Sequence, residues 1–251
     1  MKNPVFDKDL TTLLRQSDNS DIDPIVSIIL AAPSQTLTIK QSYREHAGDH
    51  KSYIDEIIYE ITSFGGNSLA NLVRGHGVPY AEMVRDVAGR LGLTPSAVDT
   101  TATLEEKVIV KVLKLSFEQM SPDDQRALGV LMNAGAEDGE EIAFDEGFPE
   151  QEIGRRLADG ATSLMGDRIQ NAVNVAARTT RTRHALGTAA KAVLTKVATA
   201  SLGGPVSWAA LIGQSVYDLF GPSTSTAIAL VAHIGLIRQK QEQLRQDEEE
   251  G

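Results

Sequence analysis

The chain contains no cysteine, so its 251 residues offer no disulfide, thiolate zinc site, iron–sulfur cluster or cysteine nucleophile. Aromatic residues make up only 5% of it, which leaves few platforms for stacking the bases of nucleic acids. The opening residues, MKNPVFDKDL, lack the apolar core of a secretory signal. The expected location is therefore the cytoplasm.

The sequence also lacks the motifs that are typical of common enzyme classes. It has no Walker loop, no dinucleotide-binding glycine signature and no G-x-S-x-G elbow, so no catalytic residue and no cofactor is expected. His46 and His50 have the spacing of two metal ligands on one helix face. However, Gly48 lies between them and no glutamate follows His46, so no metal site is expected either.

The net charge of −10 is unevenly distributed. Residues 1–154 carry 13 Lys/Arg and 26 Asp/Glu, whereas residues 155–196 carry 8 Lys/Arg and 2 Asp/Glu. An acidic body argues against nucleic-acid binding, which needs an accessible basic face. The basic belt either docks on the acidic body or faces anionic lipid. Its candidate lipid-facing residues are Arg178, Arg181, Arg183, Lys191 and Lys196.

Apolar residues recur at helical spacing through the first half of the chain. Two of these stripes are Leu10, Leu13, Leu14 and Ile54, Ile57, Ile58, Ile61. A helix is predicted from Asp21, which places Pro24 in the first turn, where a missing N–H costs little.

Further helix starts are predicted at Thr94-Pro95, as cap and first residue, and at Thr103 with Glu106, as a capping box. Residues 107–115, KVIVKVLKL, alternate like a strand, but the predicted box favours a helix.

The C-terminal third holds two long uncharged stretches, residues 197–217 and 219–237, which predict an apolar helical hairpin with Asp218 between its arms. Gly203, Gly204 and Pro205 break the first arm, and Gly221 and Pro222 follow the turn. Each arm is about as long as a bilayer span but is diluted by Ser, Thr and Gln. The sequence is compatible with two interpretations, a membrane hairpin and a helical pair packed inside a soluble bundle.

Together these patterns predict an all-α fold, a helical bundle with an apolar C-terminal hairpin at residues 197–237. The expected organisation is an acidic helical body at 1–135, made of a short-helix module at 1–45 and a helical core at 46–135. An acidic linker at 136–150 then leads to a C-terminal helical region at 151–251.

The densest polar segment lies between residues 65 and 80, and its candidate interaction or anion-binding residues are Asn67, Asn71, Arg74, His76 and Tyr80. An arginine and a histidine beside a helix start suit a carboxylate or phosphate. The alternative is structural, with positive φ at two turns supplied by Gly65, Gly66, Gly75 and Gly77.

Three stretches resemble the YaaW family of bacterial proteins, which has no assigned catalytic residues. They are residues 9–30, residues 64–91 with the motif Arg74-Gly75-His76-Gly77, and residues 202–206 with the second apolar arm. The family pattern has an aromatic residue and an arginine after Gly221-Pro222, whereas this chain has Ser-Thr-Ser. The resemblance implies an all-helical fold and a grouping with the ubiquinol-cytochrome c chaperone-type domain.

The sequence thus favours a non-enzymatic protein- or membrane-interaction module of the chaperone or assembly-factor kind. The alternatives are a membrane-inserting effector that uses the hairpin, and an enzyme or small-anion binder centred on Arg74 and His76. The expected partner is a protein, which includes a second copy of the chain, or a membrane surface, and not nucleic acid. Peripheral binding or a hairpin anchor at the inner membrane would be the membrane-associated form.

Overall fold

The computed structural model describes residues 7–65, 77–119, 121–122, 125–126, 129, 142–144, 147–158 and 220–250. Within these ranges the chain forms eight α-helices and no β-strand, in agreement with the all-α prediction. They are α1 (Lys8–Gln16), α2 (Asn19–Ala31), α3 (Gln41–His46), α4 (Ile54–Phe64), α5 (Tyr80–Arg90), α6 (Thr101–Gln119), α7 (Glu150–Ala158) and α8 (Pro222–Glu250). Two short 3-10 helices, Leu37–Ile39 and His50–Tyr53, lie between them.

The chain divides into two compact units. Unit 1 contains residues 1–109 and 216–238, and unit 2 contains residues 110–215 and 239–251. The predicted domain boundaries at 135 and 150 stay predictions.

Helices α1 and α4 follow the predicted apolar stripes. The stripe residues Leu10, Leu13 and Leu14 of α1 and Ile54, Ile57, Ile58 and Ile61 of α4 are all buried in unit 1. Burial of each large aliphatic side chain contributes about 1.5–3 kcal/mol, which is why the stripes determine how these helices pack.

Helix α2 begins earlier than predicted. Asp18 is its N-cap, and the Asp18 N–H donates to the Asp21 carboxylate at 3.4 Å in a reciprocal capping box. The prediction that the helix starts at Asp21 was therefore wrong, and Pro24 lies inside the helix instead of in its first turn.

Gly65 and Gly77 are needed because the chain packs closely there, and not because the backbone is left-handed. Gly65 has φ −77°, and a Cβ there would overlap the side chain of Val78. A Cβ at Gly77 would overlap the carbonyl group of Thr62. Among the described residues, positive φ occurs at Gly92, Gly147 and Gly221. The prediction of positive φ was thus wrong for Gly65 and Gly77, while Gly66 and Gly75 lie outside the described residues.

Helix α6 begins at Thr101, and residues 93–100 before it are not helical. The Thr100 hydroxyl accepts from the Thr103 N–H at 3.1 Å. The starts predicted at Thr94-Pro95 and at Thr103 were wrong, because Thr100 supplies the capping hydroxyl. Residues 107–115 are helical, which confirms the preference for helix over strand.

Helix α8 contains most of the second apolar arm. Gly221, with φ 74°, turns the chain into Pro222, which occupies the first helical position. Ile228, Leu230, Val231 and Ile234 are 0% exposed in unit 1. This arm is therefore packed within the protein, whereas the first arm, and with it the predicted hairpin, lies outside the described residues.

In unit 2, helix α6 packs against residues from the predicted acidic linker. The Phe117 ring lies 5.7 Å from the Phe144 ring and 5.6 Å from the Phe148 ring. Lys114 Nζ donates to Glu150 Oε2 at 2.6 Å. Across the described part of the chain, no helix combines the length and apolarity needed to cross a membrane.

Candidate functional site

Side chains from four helices meet in unit 1 and form what we call the Arg238 cluster: Asp9 of α1, Tyr80 of α5, Glu105 of α6 and Arg238 of α8. Arg238 Nε donates to Glu105 Oε2 at 2.6 Å, and its two terminal nitrogens donate to the Asp9 carboxylate at 3.1 and 2.8 Å. The Tyr80 hydroxyl donates to Glu105 Oε1 at 2.7 Å. One guanidinium thus joins two carboxylates from different helices.

Burial determines the electrostatics of the Arg238 cluster. The Glu105 side chain is 1% exposed, and burial raises its pKa, although hydrogen bonds from Arg238 and Tyr80 act in the opposite direction. Burial also opposes the charge on Arg238, but the hydrogen bonds to Glu105 and Asp9 outweigh it and raise the pKa of Arg238. Burial and the nearby Glu105 raise the pKa of Tyr80 well above its ordinary value. The cluster is therefore a network of hydrogen bonds and ion pairs that links the four helices, and its polar side-chain atoms bind one another.

Asp7 connects the same helices through the backbone. One of its carboxylate oxygens accepts from the Leu10 N–H at 3.1 Å, and the other accepts from the Tyr80 N–H at 2.9 Å. A single aspartate therefore caps the N-termini of α1 and α5 together.

His233 lies in the packing between α8 and α2 and is 2% exposed. Its Nε2 lies 3.2 Å from the Asp21 carbonyl oxygen, and its Nδ1 has no hydrogen-bond partner in the described part of the chain. Because the Asp21 carbonyl only accepts, the ring carries its proton on Nε2. Burial lowers the pKa of His233 to about 4, despite the favourable effect of Asp21 on the charged form.

His50 is the centre of a second polar group, in which His50 and Tyr53 are buried and Asp23 is exposed. Its Nδ1 contacts the Tyr53 hydroxyl and its Nε2 contacts the Asp23 carboxylate. The Tyr53 hydroxyl also donates to the Ala47 carbonyl at 3.0 Å, and burial raises the pKa of Tyr53 to about 12. His46 is exposed and instead lies 3.2 Å from the Ser42 carbonyl, so the two histidines have different partners.

An open groove of about 320 Å³ lies beside this group and is lined by Arg15, Lys51, Ser52, Ile54, Asp55 and Glu56. Arg15 pairs with Asp55 at 2.9 Å, and Lys51 Nζ donates to the Arg15 carbonyl at 3.3 Å. Both cations of the groove are thus already engaged within the protein.

Of the five residues predicted as an interaction or anion site, the structure describes Tyr80 alone. It is 0% exposed with its hydroxyl on Glu105, and its role as a candidate interaction residue stays a prediction. The other four, Asn67, Asn71, Arg74 and His76, lie outside the described residues.

The predicted belt and most of the predicted hairpin residues also lie outside the described residues. These are Arg178, Arg181, Arg183, Lys191, Lys196, Gly203, Gly204, Pro205 and Asp218. The sequence interpretation missed the Arg238 cluster, although one signal was present: Arg238 is the first charge after the uncharged stretch 219–237. Its partners cannot be identified by spacing, since Asp9 is 229 residues away.

Comparison with known proteins finds relatives along most of the chain. A UPF0174 protein of Helicobacter pylori strain J99 is 25% identical over 96% of the chain and 95% of its own length. The UPF0174 protein YaaW of Escherichia coli O157:H7 is 28% identical over 79% of the chain and 76% of its own length. These matches confirm the predicted resemblance, and the names of these relatives state no activity.

No family model matches the chain, so the predicted grouping with the ubiquinol-cytochrome c chaperone-type domain gains no support. No solved structure matches it either.

Proposed function

We propose that the chain, which is similar to UPF0174 proteins including YaaW, is a non-enzymatic interaction module that binds an anionic membrane surface. Binding uses the apolar region 197–237, whose second arm is stored in unit 1. The observation that carries this proposal is the polar content of the stored arm and its end, where Ser225, His233 and Arg238 are all buried.

Buried polar groups in α8 reduce the free energy needed to move this helix out of the core of unit 1. A buried polar atom loses its hydration, and where the described residues offer it no partner, as at Nδ1 of His233, that free energy is not restored. Apolar residues of similar volume in place of an ion pair such as Arg238–Glu105 are often neutral or stabilising. A helix kept in the core for stability alone has no need of these residues, and their presence supports reversible docking.

The charge pattern favours an anionic lipid surface as the partner. The basic belt, with 8 Lys/Arg and 2 Asp/Glu over residues 155–196, directly precedes the apolar region. Each Lys or Arg near an anionic bilayer contributes about 1 kcal/mol of attraction. An amphipathic segment lying in the interface needs no helix long enough to span the bilayer. A protein partner, as for a chaperone or assembly factor, is the competing outcome.

Vesicle flotation tests this proposal with a matched pair of glycine variants. A Cβ at Gly235 would lie 2.9 Å from Glu105 Cβ, so Gly235→Val forces α8 away from α6 within unit 1. Gly89 has open space around its Cβ position, so Gly89→Val is the control. We expect Gly235→Val to raise the floated fraction on phosphatidylglycerol vesicles, with no rise for Gly89→Val or on phosphatidylcholine vesicles.

Replacement of the five belt residues by Gln should abolish the increase caused by Gly235→Val. If Gly235→Val unfolds, as judged by far-UV circular dichroism, Gly235→Ala introduces the same close contact with a single methyl group. A folded variant that floats no more than the wild type on anionic vesicles would contradict the membrane proposal and favour a protein partner.

A further inference from the structure

The two ring nitrogens of His233 have different surroundings. Nε2 faces the Asp21 carbonyl, while Nδ1 is buried without a partner in the described part of the chain. The neighbouring residues Val231 and Ile234 of the same helix are fully buried. A neutral ring fits this position, with its proton on Nε2 and a bare lone pair on Nδ1.

A second proton does not fit the position of His233. It would place an N–H donor and a positive charge at Nδ1, where the packing of the described residues offers no acceptor. An unpaired charge in an apolar interior costs several kcal/mol, so the charged ring is stable only where water reaches it. Water reaches Nδ1 when this part of α8 moves away from the residues against which it packs in unit 1.

We propose that protonation of His233 releases the unit 1 part of α8, residues 222–238, and exposes its apolar face. This regulation rests on the proposed function, because the released segment is the stored arm. It also gives a physical route from a buried arm to one that meets lipid.

Other ionisable groups near α8 determine how far the release extends. Asp21 of α2 is the charged residue that acts on His233, and it favours the proton. Further along α8, Arg238 faces Asp9 of α1 and Glu105 of α6, and Tyr80 of α5 bonds to Glu105. Burial raises the pKa of Glu105, so acid favours the folded state there and opposes the effect at His233. Opening therefore begins at His233, while the Arg238 end resists it.

The sign and the pH range follow from the lowered pKa of His233. A histidine whose pKa falls from 6.5 to about 4 on folding stabilises the closed state above pH 6.5, and this stability is lost as the pH falls towards 4. Because each pKa unit is a tenfold change, the opening equilibrium rises roughly 300-fold in total and about twentyfold between pH 7 and pH 5.

Amide hydrogen exchange at pH 7 and pH 5 tests the release in the absence of any partner. After division by the intrinsic rates, we expect opening of residues 227–237 to rise about twentyfold in the wild type. His233→Gln keeps an N–H donor for Asp21 but cannot bind the proton, so its opening should not change with pH. His46→Gln, at an exposed histidine, should behave like the wild type.

Two results would overturn the proposal: unchanged opening of residues 227–237 at pH 5, or equal opening of α4 and α8, which is global unfolding. If His233→Gln does not fold, the pKa of His233 is measured by NMR titration of the wild type instead. A titration midpoint near 6.5 would contradict the proposal. Vesicle flotation at pH 5 separates the two proposals. Opening without flotation rejects the membrane function and leaves the proton-driven release in place.

Discussion

Arg238 and Glu105 are 133 residues apart in the sequence and share two hydrogen bonds, of 2.6 and 3.2 Å, in the core of unit 1. Asp9 binds the other side of the same guanidinium. Residues from near the beginning, middle and end of the chain are thus held by one side chain, so the unit 1 part of the C-terminal helix belongs to the core of that unit.

Loss of Arg238 should destabilise the protein strongly. Arg238→Met keeps most of the side-chain volume but leaves the Glu105 carboxylate, which is 1% exposed, without its cation. Breaking a buried ion pair from one side costs about 3–5 kcal/mol, and we expect a loss in this range in urea unfolding at pH 7.

The double variant Arg238→Met/Glu105→Gln tests whether this loss of stability comes from the Arg238–Glu105 pair. Because the amide introduced by Glu105→Gln is uncharged and can still accept from the Tyr80 hydroxyl, the double variant should recover part of the stability lost in Arg238→Met. Arg245→Met, at an exposed position, should change the unfolding free energy by less than about 0.5 kcal/mol. A double variant no more stable than Arg238→Met would show that the pair is not the source of the loss.

Asp7 should matter more than an ordinary helix cap. Asp7→Ala removes the acceptor for the Leu10 and Tyr80 N–H groups, whereas Thr100→Ala removes the acceptor for the Thr103 N–H. A cap contributes about 0.5–2 kcal/mol, so Asp7→Ala should cost roughly twice as much as Thr100→Ala in thermal or urea unfolding. Equal losses would mean that the contact with Tyr80 adds nothing.

The apolar stripes were predictable because helical spacing is a local signal. The spacing of Leu10, Leu13 and Leu14 identifies the buried face of α1 without knowledge of what covers it. Helix ends were less predictable, since Ser, Thr and Asp recur at short intervals and several can cap. Thr100 prevailed over Thr94 and Thr103, and Asp18 over Asp21, through backbone contacts that the sequence does not reveal.

The candidate site was not predictable, because its residues come from four helices. Glu105 looks like an ordinary helix carboxylate in the sequence, and its burial follows from the approach of α8. Gly235 allows that approach, with its Cβ position 2.9 Å from Glu105 Cβ.

Stability should fall with acidity through His233. Since its pKa falls from 6.5 to about 4 on folding, the closed state loses about 3 kcal/mol between pH 7 and pH 4 from this residue. The difference in unfolding free energy between wild type and His233→Gln, measured in urea across that range, isolates this contribution from those of other groups. Parallel curves for the two proteins would contradict it.

The sequence has one tryptophan, Trp208, within the first apolar arm, and its fluorescence most directly tests whether the C-terminal region meets lipid. Vesicles of brominated phosphatidylglycerol quench a tryptophan that enters the bilayer interface. We predict strong quenching of the wild type at pH 5, weak quenching at pH 7, and strong quenching of Gly235→Val at both. Absence of quenching at pH 5 in both proteins, with each still helical, would contradict the account.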